Sequence, residues 1–379
     1  MKNVVIAGYS RSPFTPANRG DLTKVRPDEL AAQVVRGLLE KTNVNADDIE
    51  DFILGCAFPE GEQGLNMARL VGFLADLPLS VAGTTVNRFC GSSMQSIHMA
   101  AGAIQMNAGE VFICAGVESM TRVPMMGFNP LPHPGLAGDR PESYMGMGET
   151  AENLAGSYSI PRRQQDEFAI ASQEKAAAAQ AAGKFSDEIV PIKSDSGVVD
   201  QDGCIRADTT LESLGDLKPA FDENGSVTAG TSSPLTDGAA AVLVCTEDYA
   251  ERTGLDPLAR IKSIAVAGCK PEIMGIGPVA ASKKAAERAG IEIGDMDIIE
   301  LNEAFASQSI ACIRDLDLDM AKINLDGGAI ALGHPLGATG ARITAKAAQI
   351  LKRDGGDLAL ATQCIGGGQG IATILERIK

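Results

Sequence analysis

Short apolar runs alternate with longer amphipathic ones along the chain. Met-Lys-Asn-Val-Val-Ile-Ala-Gly leads directly into a strand pattern, and the expectation is that no signal peptide precedes it. Pro27 to Glu40 reads as a helix and Phe52 to Cys56 as a mostly apolar strand. Pro278 to Ala289 and Ile298 to Leu301 repeat that order. From Phe89 to Gly109 no side chain is acidic or basic, and the stretch holds one histidine, His98. A helix uncharged on every face is normally buried, so this segment predicts an interior helix. Ser159 reads as an N-cap with Pro161 in the first turn, and an alanine-rich helix continues to Gly183.

The pattern is duplicated. An offset of 246 residues carries 91–118 onto 337–364 without a gap, so that Ile97 meets Ile343, Ile104 meets Ile350 and Gly109 meets Gly355. Each copy runs through a glycine-rich turn, a helix, a glycine turn and an apolar strand. The agreement in element order covers about 90 residues per copy, which is the mark of an internal repeat. Helices alternating with short apolar strands predict an α/β protein with sheets covered on both faces. Two such halves side by side bring their helix starts and strand ends together at a shared boundary, where sites in open α/β sheets form. The expected division is 1–119 plus 236–257 as the first half, 120–235 as an inserted segment and 258–379 as the second half. The inserted segment opens with Met120, Met125, Met126, Met145 and Met147 among prolines and glycines. Flexible thioethers suit an adaptable apolar surface, such as one against an acyl chain.

At 379 residues the chain exceeds one hydrophobic core, in keeping with several units. A net charge of −16, few aromatics and no tryptophan exclude a nucleic-acid surface, since a phosphate backbone is repelled and no stacking platform exists. The longest uncharged stretch holds Gln95, His98, Gln105 and Asn107 and makes a poor membrane span. Eight scattered cysteines without a Cys-x-x-Cys pair predict a reducing, cytoplasmic compartment and no structural zinc.

Four places carry chemistry. Cys90, in Val-Asn-Arg-Phe-Cys-Gly-Ser-Ser-Met-Gln, stands where an apolar run meets the start of the uncharged helix. The macrodipole there favours negative charge, so the thiol is expected to ionise below its free pKa of about 8.5 and act as a nucleophile. His334, in Gly-His-Pro-Leu-Gly-Ala-Thr-Gly, falls two residues before the counterpart of Cys90 and faces it across the duplication boundary. Cys364 opens Cys-Ile-Gly-Gly-Gly-Gln-Gly, whose glycines free backbone N–H donors. Asn302 follows the strand Ile298 to Leu301, where an amide can hold a water or a substrate oxygen. Neither a phosphate loop nor a complete dinucleotide fingerprint is present. Two thiols, an imidazole, an amide and bare N–H groups suit acyl transfer through a thioester.

These segments resemble the thiolase family. Asn-Arg-Phe-Cys-Gly-Ser-Ser-Met-Gln, Asn-Glu-Ala-Phe, Gly-Gly-Ala-Ile-Ala-Leu-Gly-His-Pro-Leu-Gly and Cys-Ile-Gly-Gly-Gly-Gln-Gly are its signatures, and the likeness spans essentially the whole chain. It implies two similar α/β halves in a five-layered αβαβα core with an inserted loop domain over the substrate. It further implies Cys90 as the acylated nucleophile and His334 as its activator, the latter sharing an oxyanion hole with a water on Asn302. Cys364 is implied as the acid/base, and the N–H groups of Cys90 and Gly366 as a second hole. Arg206 is implied near the coenzyme A nucleotide and Ser233 on its pantetheine arm, with Met147, Met274, Ala304 and Phe305 lining the tunnel.

Within the family the chain is most similar to the degradative 3-ketoacyl-CoA thiolases of fatty-acid β-oxidation, through residues 62–69, 144–152 and 274–278. Short-chain biosynthetic members commonly carry His and Asn where this chain has Gly146 and Thr231, a departure that leans toward longer acyl chains. The implied reaction is thiolytic cleavage of 3-ketoacyl-CoA, with coenzyme A as a substrate and neither metal nor resident cofactor. The same chemistry run as condensation of two acetyl-CoA units, a non-catalytic acyl-CoA carrier and a Cys-His-Asn hydrolase are the rival readings. The resemblance also implies a homodimer or homotetramer, and a hydratase/dehydrogenase subunit as a possible partner.

Overall fold

The computed structural model describes residues 2–378. The principal strands are β1 (Val4–Arg11), β2 (Asp51–Gly55), β3 (Ala82–Val86), β4 (Val111–Ser119), β5 (Thr236–Thr246), β6 (Ala259–Gly268), β7 (Ile298–Leu301), β8 (Leu358–Ile365) and β9 (Gln369–Glu376). The helices that place the site are α1 (Pro27–Thr42), α2 (Met67–Leu74), α3 (Ser92–Gln105), α4 (Met147–Ser157), α5 (Arg162–Ala181), α6 (Gly277–Ala289), α7 (Ala306–Leu316) and α8 (Leu336–Asp354).

The duplication is visible in the strand pairing. The first half runs β3-β2-β4-β5-β1 and the second β7-β8-β9-β6. The β2–β4 and β7–β8 pairs are parallel, whereas β4–β5, β5–β1, β8–β9 and β9–β6 are antiparallel. The counterpart of β3 is reduced to one parallel bridge between Ile299 and Ile323. The halves meet where Val5 and Ile6 of β1 pair with Arg260 and Ala259 of β6. Between β8 and β9 lies a tight turn through Gly366, Gly367 and Gly368; between β4 and β5, its counterparts, lie residues 120–235.

Five layers follow from burial. Leu30, Val34 and Leu38 of α1 and Val71 of α2 pack on one face of the first-half strands. Ala281 and Ala285 of α6 and Cys312 of α7 cover the second-half strands. Between the two, Met94 and Ile97 of α3 and Ile343 and Ile350 of α8 share one core with Ile53, Cys114 and Val242 on one side and Ile298, Ala359 and Ile371 on the other. The strands β4 and β5 are buried along their whole length, as strands covered on both faces must be. Helix α3 is nearly as interior as its lack of charge predicts, but Met99, Gly102 and Gln105 reach solvent along one stripe. Close approach of the central helices needs Gly340, where a Cβ would sit 2.3 Å from the Met94 nitrogen.

Two local expectations differ. Helix α5 starts at Arg162 with Pro161 as its N-cap residue, because Ser159 takes a left-handed φ of 49° and its side chain cannot cap. The helix ends at Ala181 and the chain turns at Gly183. Among the described residues, no helix is long and apolar enough to cross a membrane.

Candidate active site

The loop from β3 to α3 is set by short polar contacts. Phe89 has φ of 43°, a costly value for a non-glycine residue. Asn87 Oδ1 accepts the Phe89 N–H at 2.8 Å, and Ser92 Oγ donates to the Phe89 carbonyl at 2.6 Å. Asn87 Nδ2 donates to the Ala57 carbonyl, and Gln363 Nε2 donates to the Cys90 carbonyl. Cys90 stands one residue before the N-cap Gly91, outside the first turn.

That placement corrects the expected ionisation. Burial pushes the Cys90 thiol up to about 11, against the pull of the Gly366 and Cys90 backbone N–H groups, and the Glu118 charge adds to the rise. The helix end lowers a thiol pKa only within reach of its first turn, and desolvation of the thiolate outweighs it here. The Cys90 sulfur is therefore a neutral thiol at ordinary pH.

His334 follows Gly333, whose φ of 101° no side chain tolerates well and where a Cβ would lie 2.7 Å from Thr236 Cγ2. The His334 N–H donates to Thr236 Oγ1 at 3.0 Å. Its ring Nδ1 lies 2.6 Å from Thr339 Oγ1, and that hydroxyl donates its single proton to the Pro335 carbonyl at 2.9 Å. Nδ1 therefore carries the imidazole proton and Nε2 is bare. Asn302 Nδ2 lies 3.4 Å from Nε2, the donor side of the amide facing the bare nitrogen. Among the described residues, Asn302 Oδ1 has no partner although it is buried. Burial, aided by the Arg342 charge, lowers the His334 pKa to about 3, so the ring is neutral at ordinary pH.

Cys364 is the penultimate residue of β8, just before the glycine turn, where Gly367 and Gly368 take φ of 77° and 83°. Burial raises its thiol pKa well above the ordinary value, and the nearby Cys90 sulfur raises it further. Two sulfurs so coupled do not both ionise.

Cys90, His334 and Cys364 line one cavity of about 440 Å³ together with Met147, Met274, Ala304, Phe305 and Ser233. A second cavity of about 390 Å³ shares Cys90, Met125, Met147 and Leu336 with it. That second space continues along Phe58, Phe89, Met126, Leu131, Met145 and Gly366. Asn302 sits behind His334, not on the cavity wall. Arg206 is not brought to either space; it is exposed and lines a separate surface cavity with Arg19 and Asp21. Sequence reasoning missed Thr339, which selects the His334 tautomer, and Glu118, whose buried carboxylate gathers the surrounding loops. A lone acid inside the apolar run Val111–Ser119 is the signal that marks Glu118; nothing in the sequence marks Thr339.

The chain matches known families along its length. Residues 4–248 match the thiolase N-terminal domain and residues 255–377 the thiolase C-terminal domain. The 3-ketoacyl-CoA thiolase of Bacillus subtilis is 47% identical over 389 residues, covering 99% of this chain and 100% of the relative. That of Aeromonas salmonicida is 48% identical, with 100% of both chains covered. The crystal structure of human mitochondrial 3-ketoacyl-CoA thiolase in complex with CoA superposes with a TM-score of 0.92 at 39% identity, over 100% of this chain and 98% of that one. The repeated halves, the glycine turns that carry Cys90, His334 and Cys364, and the full-length match to both domain models agree: this chain belongs to the thiolase family.

Proposed function

We propose that this protein cleaves 3-ketoacyl-CoA with coenzyme A, giving acetyl-CoA and an acyl-CoA shortened by two carbons. The observation that carries this reading is the convergence of Cys90, His334 and Cys364 on one cavity. The names of the full-length relatives and the CoA complex of a structural neighbour support it.

In this mechanism His334 Nε2 takes the Cys90 proton as the sulfur attacks the 3-keto carbon. The N–H groups of Cys90 and Gly366 face the oxygen of the adduct, while the new imidazolium N–H and a water on Asn302 Oδ1 face the thioester oxygen, where the enolate charge develops. The C2–C3 bond breaks, and its electron pair leaves as the enolate of acetyl-CoA. Cys364 gives its proton to C2 and becomes a thiolate. That thiolate takes the proton of the incoming coenzyme A thiol, whose sulfur attacks the acyl carbonyl on Cys90. The N–H groups of Cys90 and Gly366 still hold that carbonyl oxygen. Cys90 leaves as a thiolate and recovers its proton from His334, so both thiols return to their starting state.

The second cavity, walled by Phe58, Phe89, Met126, Leu131 and Met145, takes the acyl chain in this reading. Residues 120–235 form the cover, with Met147 between the two spaces, Ser233 on the pantetheine arm and Arg206 near the nucleotide at the surface. Coenzyme A is a substrate, not a resident cofactor. We place the enzyme in the cytoplasm as a homo-oligomer, with a hydratase/dehydrogenase subunit as its candidate partner.

The test is intact mass after mixing with acyl-CoA. The native protein gains an acyl adduct and Cys90→Ser does not; an adduct retained by Cys90→Ser sinks the assignment. A chain-length series of 3-ketoacyl-CoA substrates then separates thiolysis of longer chains from a reaction confined to acetoacetyl-CoA.

A further inference from the structure

Glu118 stands at the end of β4 with 1% of its surface exposed. A charged side chain so deeply buried is costly unless its lone pairs are met. Here they are met from several segments at once. Oε2 accepts the N–H of Ala57 at 2.8 Å and the N–H of Gly337 at 2.8 Å. Oε1 accepts Gln63 Nε2 at 2.8 Å and the Phe58 N–H at 3.2 Å, with the Cys56 thiol at 3.7 Å. The backbone N–H groups and Gln63 Nε2 can only donate, so they favour the ionised carboxylate against burial, which pushes its pKa up. Gln63 closes the ring, since its Oε1 accepts the Ser119 N–H at 2.6 Å.

The partners belong to the two arms of the reaction site. On one side, the Ala57 peptide that donates to Glu118 also accepts from Asn87, and Asn87 holds the Phe89 N–H next to Cys90. On the other side, Gly337 lies three residues after His334, in the first turn of α8. The fit there is tight: a Cβ on Gly337 would lie 2.4 Å from the Val117 carbonyl oxygen and 2.8 Å from Glu118 Oε2. One carboxylate oxygen thus accepts a backbone N–H from each half of the duplicated fold. A second bond between the halves, from the Ala341 N–H to Ser93 Oγ at 2.8 Å, joins the first turn of α3 to α8.

We propose that Glu118 is a positioning residue for the thiolase reaction, its carboxylate fixing the distance between the Cys90 sulfur and the His334 ring by tying Ala57 to Gly337. The inference rests on the reading of Cys90 and His334 given above. Displacement of about 1 Å between a nucleophile and its base costs on the order of a hundredfold in rate. Glu118→Gln keeps the shape but turns one acceptor oxygen into a donor, which must then face at least one N–H that it cannot receive. Glu118→Asp keeps the charge and loses the reach.

The experiment measures single-turnover acylation of Cys90 by 3-ketoacyl-CoA, KM, the urea midpoint and the pH dependence of Cys90 alkylation by iodoacetamide. The charged and titratable groups facing the Cys90 sulfur are Glu118, His334 and Cys364. For Glu118→Gln the expected result is an acylation rate reduced about a hundredfold with KM little changed and alkylation shifted to lower pH, because the negative charge near the sulfur is gone. For Glu118→Asp the rate falls and the alkylation profile stays in place. Acylation near the native rate in either folded variant overturns the proposal. So does a loss that tracks the urea midpoint, or equal effects on rate and KM, with the alkylation profile unmoved. Should Glu118→Gln fail to fold, Glu118→Asp decides by rate and KM alone. An acyl adduct on Cys90→Ser removes the functional reading itself; its absence together with native rates in the Glu118 variants removes only the positioning role.

Discussion

Thr339→Val tests the claim that His334 works as a base through one chosen tautomer. Valine has nearly the shape of threonine, so the fully buried site stays filled. Two hydrogen bonds disappear, Nδ1–H to Oγ1 at 2.6 Å and Oγ1–H to the Pro335 carbonyl at 2.9 Å. The Pro335 carbonyl keeps the N–H groups of Ala338 and Thr339, so it is not orphaned. The imidazole N–H is. An unpaired buried donor costs about 1–3 kcal/mol. The ring escapes that cost by moving its proton to Nε2, where an Asn302 amide turned to present Oδ1 accepts it. In that form the nitrogen meant to take the Cys90 proton already carries one. The reactive tautomer is thus depleted by the same 1–3 kcal/mol, roughly five- to 160-fold.

The assay is stopped-flow acylation with a single turnover of 3-ketoacyl-CoA, alongside the urea midpoint. Acylation slows by that factor in Thr339→Val while KM holds, and Thr339→Ser, which restores the hydroxyl, recovers most of the rate. A valine variant that folds and acylates at the native rate refutes the tautomer argument.

Three further outcomes follow from named contacts. Cys364→Ala still gains an acyl group from simple acyl-CoA but loses carbon–carbon cleavage by about 10²–10⁴-fold, read by intact mass beside acetyl-CoA release; equal loss of both activities contradicts a separate role for Cys364. His98 is buried against Thr373 Oγ1 at 2.9 Å and its pKa is lowered by burial to about 3, with smaller contributions from Arg88 and Arg288. Between its ordinary value near 6.5 and about 3, the unfolded chain binds a proton that the folded one does not, so stability falls as pH drops through that window. Glu300, raised to about 7 by burial, acts in the opposite sense as pH drops from about 7 to 4.5. His98→Met removes only the histidine contribution, so the urea-midpoint advantage of the native protein over this variant shrinks as pH falls below 6.5; a constant difference refutes the neutral buried histidine. Gly340→Ala drives a Cβ to 2.3 Å from the Met94 nitrogen and costs about 1–3 kcal/mol by overpacking; an unchanged urea midpoint shows that the central helices have room to separate.

What the sequence reveals and what it hides divide along physical lines. Cys90, His334 and Cys364 are legible because each stands beside glycines that only a special backbone needs, and because thiol and imidazole chemistry belongs to few residue types. The 246-residue offset places Cys90 and His334 at equivalent helix starts, and the strand pairing of the two halves bears out the repeat from which their common cavity follows. The sign of the Cys90 shift is illegible, since it depends on how much protein covers the sulfur, and the helix signal alone points the wrong way. Thr339 and Glu118 are hidden for a related reason. Thr339 acts by where its one proton goes, which depends on the Pro335 carbonyl, and Glu118 acts through Ala57 and Gly337, which are distant from each other in the chain. Residues 120–235 show the same division. Methionines and prolines reveal an irregular apolar cover, but that it replaces a three-glycine turn of the other half becomes apparent only when β4–β5 and β8–β9 are seen as equivalent hairpins. The repeat therefore accounts for more than the architecture. One copy of the hairpin stays tight enough to aim the Gly366 N–H at a sulfur, and the other opens far enough to build the walls around it.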